Sequence, residues 1–79
     1  MLLEIITPEK KIYEGEVNSV QLPGTEGFFQ ILNNHVPIVS TLKKGKLIVS
    51  DSTNQQTELL INGGVVEVNS NKVIVLAEM

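Results

Sequence analysis

Residues 65–77 read VVEVNSNKVIVLA, two β-branched runs on either side of the polar tetrad Asn69-Ser70-Asn71-Lys72. Strong strand formers flanking Asn and Ser turn residues predict a hairpin, Val65–Val68 paired with Val73–Ala77. Side chains alternate between the two faces of a strand, and Val73-Ile74-Val75-Leu76-Ala77 is apolar at every position. Whichever way that strand faces, it carries apolar surface on both sides. The same stretch therefore predicts β-structure and raises the question of what covers its second face.

Outward from this hairpin the pattern repeats. Asn62-Gly63-Gly64 before it is a hairpin or corner signal. Strand-like runs at Leu2–Thr7, Lys11–Tyr13, Glu16–Leu22, Gly27–Leu32, Ile38–Leu42, Lys46–Ser50 and Gln56–Ile61 are separated by short Pro, Gly, Asn and Lys-rich turns. Lys43-Lys44-Gly45-Lys46 reads as a solvated hairpin tip. No stretch shows a helical apolar period. Val and Ile together number 18, against nine Leu and the single alanine Ala77, a composition that favours pleated surfaces over helices. The expectation is one all-β domain over residues 1–79, a flattened antiparallel β-sandwich or barrel of about 8–10 short strands.

A two-layer sandwich alone should alternate apolar-in and polar-out. Leu2-Leu3, Ile5-Ile6, Leu47-Ile48-Val49, Leu59-Leu60-Ile61 and Val65-Val66 break that rule. Between Gly27 and Leu42 there is no Lys, Arg, Asp or Glu, and the adjacent Phe28 and Phe29 must point to opposite faces. Phe29 and Ile31 share one face and Phe28, Gln30 and Leu32 the other. The excess of apolar positions predicts an outer surface covered by a partner.

Other chemistry is poorly supplied. The chain has six lysines, no arginine, no cysteine, one histidine and a net charge of −3. Without arginine and with few aromatics, nucleic-acid recognition is not expected. Without cysteine there is no disulfide or thiolate zinc site, and the carboxylates are too scattered for a calcium loop. No run approaches the roughly 20 apolar residues that cross a bilayer, and the N-terminus lacks a secretory pattern, so neither membrane insertion nor secretion is expected. A hydrolase would have to combine His35 with Ser40 as nucleophile and Glu26 as orienter, but no nucleophile-elbow spacing supports it. A second alternative is a lipoyl- or biotin-type carrier modified on Lys43, Lys44 or Lys46, though the specific neighbours such carriers place around their lysine are missing.

ITPEKKIYEGEVNSVQLPGTEGFFQILNNHVPIVSTLKKGKL, residues 6–47, contains in order T-P-E, aromatic-x-G-x-V, P-G-x-x-G, H-x-P and L-K-x-G. INGGVVEVNSNKVIVLAEM, residues 61–79, adds GG-x-x-E-V and N-x-V-x-V-L-A-E. In order and spacing these motifs resemble the epsilon subunit of rotary F-type ATP synthases over nearly the whole chain. The resemblance implies a flattened sandwich of about ten strands, without catalysis or cofactor. It also implies a rotor subunit of the central stalk that packs on the gamma subunit and rests on the membrane c-ring, at the cytoplasmic face of the bacterial inner membrane. Thr7, Glu26, Phe28, His35 and Ser40 match family positions at the gamma or c-ring surfaces. Phe28 departs from the acidic residue many relatives carry there, which points to an apolar contact. Many relatives continue into a two-helix C-terminal domain that restrains ATP hydrolysis and holds most of the nucleotide-binding residues. The sequence given ends at Met79, so helical autoinhibition and nucleotide binding are not expected of this chain.

Overall fold

The computed structural model describes residues 1–79 and contains eight strands and no helix: β1 (Leu2–Ile6), β2 (Lys11–Gly24), β3 (Gly27–Leu32), β4 (Ile38–Leu42), β5 (Gly45–Asp51), β6 (Gln56–Ile61), β7 (Gly63–Asn69) and β8 (Lys72–Glu78). The all-β expectation and the lower end of the strand count hold. The runs expected separately at 11–13 and 16–22 form one long strand that serves two layers.

The first half of β2 pairs with β1, from Lys11↔Ile6 to Glu16↔Leu2, and β1 continues through β8 and β7 to β4. Its second half pairs with β3 on one side and β5 on the other, and β5 continues to β6. Sheet one is thus β2-β1-β8-β7-β4, and sheet two is β3-β2-β5-β6. A bridge between Gly24 and Leu42 joins the layers again at the far end of β2. Every pairing is antiparallel except β1 with β8, which run parallel side by side.

The change of layer is visible in side-chain parity. Val17 is buried, but so are Val20 and Leu22, and the register with β5 shifts between Val17 and Ser19. A bulge there adds one residue, bends the strand and switches the inward positions from odd to even. The core that results joins Leu3, Ile5, Val73 and Val75 of sheet one to Leu22, Ile31, Leu47 and Val49 of sheet two.

Four connections are tight hairpins: β1–β2, β2–β3, β5–β6 and β7–β8. The last turns on Ser70 and Asn71, both at positive φ (52° and 58°), the two-residue geometry that matches strand twist. The Asn62-Gly63-Gly64 signal proves to be a corner, since β6 and β7 lie in different sheets. The expected hairpin tip at Lys43–Lys46 is corrected in the same way. β4 and β5 do not pair, and Lys43 N–H donates to Pro23 O at 2.8 Å as the chain crosses between layers. Turn residues mark where a chain bends; they do not say whether the next strand pairs with the last.

Candidate functional site

The outward positions of sheet one follow from the registers. Glu4 stands beside Ile74, Ile74 beside Glu67, and Glu67 beside Val39, across β1, β8, β7 and β4. The adjacent row runs Ile6, Leu76, Val65, Thr41. Val39 is 70 % exposed and Leu76 53 %, and Val65, Ile74 and Ile6 are half-buried. All but Val39 are second members of the apolar doublets and runs, and on this sheet they form one contiguous patch with it.

Three shallow hollows lie along that patch. One is lined by Ile6, Thr7, Pro8, Leu76 and Glu78, the middle one by Val39, Val65, Glu67, Ile74 and Leu76, and the third by Pro37, Val39, Glu67 and Asn69 among others. Glu67 is the wall between the second and third. It is exposed and has no ion-pair or hydrogen-bond partner in the chain.

Apart from Glu78 at the edge, which has no ion-pair partner, the remaining charge on this face is gathered around Glu4 and internally neutralised. Glu4, only 9 % exposed, lies 2.7 Å from Lys11 Nζ and 2.9 Å from Lys72 Nζ. The hydrogen bond from Lys11, then that from Lys72, holds the Glu4 carboxyl below the usual carboxylate range. The Glu4 and Glu14 carboxylates reciprocally raise the Lys11 ammonium.

Sheet two is different outside. Phe28, Leu32 and Leu60 are each more than half exposed, among Gln21, Gln30, Lys46, Ser50 and Glu58. Phe29 is half-buried and packs against the core, so the two phenylalanines divide between faces as their alternation requires.

Of the residues singled out by sequence, Thr7 and His35 flank the apolar face of sheet one at opposite ends. Thr7 lines the first hollow, and its N–H donates to Lys10 O at 2.8 Å in the β1–β2 turn. His35 precedes Pro37 in the β3–β4 crossover, with Nδ1 2.8 Å from Val36 O. Glu26 and Phe28 sit together at the β2–β3 hairpin, the end of the molecule that also holds the Lys43–Lys44 crossover. Ser40 lies on the face of β4 opposite Val39, paired with buried Val66. No hydrogen bond joins Glu26, His35 and Ser40, so the hydrolase arrangement does not assemble. Lys43 and Lys44 lie on a crossover rather than at the hairpin apex that a carrier requires, and Lys46 is paired with Glu58 at 3.3 Å. Sequence reasoning passed over Val39, Glu67 and Leu76. Leu76 stands in the run that is apolar at every position, which tells that a face is apolar without telling which strands share it; Val39 and Glu67 carry no such signal.

The family model for the β-sandwich domain of the ATP synthase delta/epsilon chain matches residues 1–79. The chain belongs to that family. Its epsilon-chain relatives include that of Chlorobaculum tepidum, 45 % identical over 96 % of this chain and 86 % of its own length. Another is that of Desulfatibacillum aliphaticivorans, 46 % identical over 99 % of this chain but 55 % of its own length. Two solved structures share the fold, each at 22 % identity and covering 100 % of this chain. One is from the mitochondrial ATP synthase of Euglena gracilis (OSCP/F1/c-ring), with TM-score 0.94 over 51 % of that chain. The other is from the central stalk and c-ring of the Tetrahymena thermophila enzyme, with TM-score 0.81 over 63 %. Epsilon chains are stalk subunits of ATP synthase rather than catalytic ones, and the expectation of a non-catalytic member of that family holds.

Proposed function

We infer that the chain is a rotor subunit of an F-type ATP synthase that joins the gamma subunit to the c-ring and turns with both. The observation that carries this reading is the continuous apolar outer face of sheet one, flanked by Thr7 and His35. A permanent rotor contact calls for broad hydrophobic surface, and this face is assigned to gamma. The β2–β3 end, with Glu26 and exposed Phe28, is assigned to the c-ring, and Ser40 to the border between the two contacts. A stiff sandwich held by 48 backbone hydrogen bonds suits a part that transmits torque without changing shape. The location proposed with this reading is the cytoplasmic face of a bacterial inner membrane, reached through the c-ring. No helix long and apolar enough to cross a membrane is present. The role assigned to the β-sandwich is coupling of ring rotation to gamma.

The test is reconstitution of an ATP synthase depleted of its epsilon subunit. Added chain is expected to restore proton-coupled ATP synthesis and to co-purify with gamma and the c-ring. Recovery of gamma and c-ring complexes from which the chain is absent would overturn the reading. An adduct of lipoyl or biotinyl mass on Lys43, Lys44 or Lys46 would favour a carrier instead.

A further inference from the structure

The patch on sheet one carries one carboxylate at its centre, Glu67, and a second, Glu78, only at its edge. Glu67 neighbours Val39 and Ile74 across the sheet and separates two hollows that no lysine lines. Lys72 Nζ, on the same face, is held by Glu4 at 2.9 Å. Any partner that covers Val39, Val65, Ile74 and Leu76 also takes Glu67 out of water. A buried carboxylate without a counter-charge opposes association, whereas one met by a hydrogen-bonded cation favours it and fixes the register of the contact.

We propose that Glu67 is the specificity-determining residue of this surface and receives one cationic side chain, Lys or Arg, from the gamma segment that covers the apolar patch. This rests on the assignment of the face to gamma. A second copy of the chain is a poor occupant. A two-fold contact centred on the patch would bring Glu67 against its own mate, with no lysine in the adjoining hollows to separate them.

The experiment is titration of gamma with the chain at several salt concentrations, comparing wild type with Glu67→Gln, Glu67→Lys and Val39→Asp. Glu67→Gln is expected to weaken binding roughly ten- to a hundredfold and to flatten its salt dependence. Glu67→Lys is expected to weaken it further, with recovery when the facing gamma cation is changed to Glu. Val39→Asp should abolish binding. Unchanged or tighter binding by Glu67→Gln, with binding still lost in Val39→Asp, would mean that no cation meets the carboxylate, and the proposal falls while the docking face stands. Full affinity in Val39→Asp would remove the face itself, and Glu67's role with it. Glu67→Gln is expected to melt as wild type does. A large fall in its melting temperature would show the carboxylate serving the fold and would also overturn the proposal.

Discussion

Gly64 sits where the chain leaves the β6–β7 corner and enters sheet one, at φ 151°, a conformation glycine adopts freely and L side chains rarely do. A Cβ built there would lie 2.3 Å from Leu76 O, in a backbone that cannot retreat without breaking the β7–β8 ladder. Gly64→Ala is therefore expected to cost on the order of 2–3 kcal/mol from the backbone conformation alone, and more from the collision. Urea unfolding of the variant, read against wild type, measures it; a loss below about 1 kcal/mol would show that the corner relaxes. Glu4 gives a different residue-scale prediction. Its folded pKa is depressed, so its contribution is complete above the unfolded value of about 4.3 and disappears as pH falls through the lowered folded value. For Lys11, whose folded pKa is raised, the contribution is complete below about 10.4 and is lost as pH rises through the folded value. Glu4→Gln is expected to lower stability at neutral pH and to flatten the acid limb of a melting-temperature profile. An acid limb as steep as that of wild type would assign acid sensitivity to other groups, such as Asp51. The Thr53 hydroxyl, 2.7 Å away, is the main cause of Asp51's lowered pKa.

At the scale of elements, strand β3 separates its two phenylalanines by role. Phe28 is 56 % exposed, so Phe28→Asp is expected to shift stability by no more than about 0.5 kcal/mol while weakening c-ring association more than gamma association. Phe29 packs on the core and closes over Gly24, so Phe29→Ala is expected to cost about 2–3 kcal/mol, below the range for a fully buried ring. Chemical unfolding of the two variants separates the cases, and equal losses would mean that the ring of Phe28 also packs. This division was legible in the sequence because alternation is local and needs only the strand to exist. The β7–β8 hairpin was legible for the same reason, its turn residues standing between two periodic runs. The bulge after Val17, the parallel pairing of β1 with β8, and the crossover at Lys43–Lys44 were not. Each depends on which distant strand completes the ladder, and a short turn looks alike whether it folds back or crosses a layer. Glu67 was hidden more simply. A Glu between Val66 and Val68 is what any outward strand position shows, and only the registers of β4 and β8 reveal that its neighbours are apolar.

For the molecule as a whole, the apolar face of sheet one links stability to assembly. A domain of this size has only a few kilocalories per mole in reserve, and its buried core is 16 residues. Any partner that binds the folded chain and not the unfolded one adds stability according to its free concentration relative to Kd, about 2.7 kcal/mol at a hundredfold excess over Kd. For a chain of 79 residues, each 1 kcal/mol at the midpoint moves Tm by about 4–8 °C. Saturating gamma is therefore expected to raise the midpoint of the sandwich by on the order of 10–20 °C. The increment should grow with gamma concentration, unlike the effect of an added internal contact. Val39→Asp should remove the increment while leaving the Tm of the isolated chain nearly unchanged, since Val39 is 70 % exposed and lies outside the buried core. Differential scanning calorimetry of chain and chain–gamma mixtures at several ratios measures both quantities. A Tm indifferent to gamma would show that the face of sheet one is bare in the stalk as well, and an isolated Val39→Asp chain that melts far below wild type would place Val39 in the fold rather than in the contact.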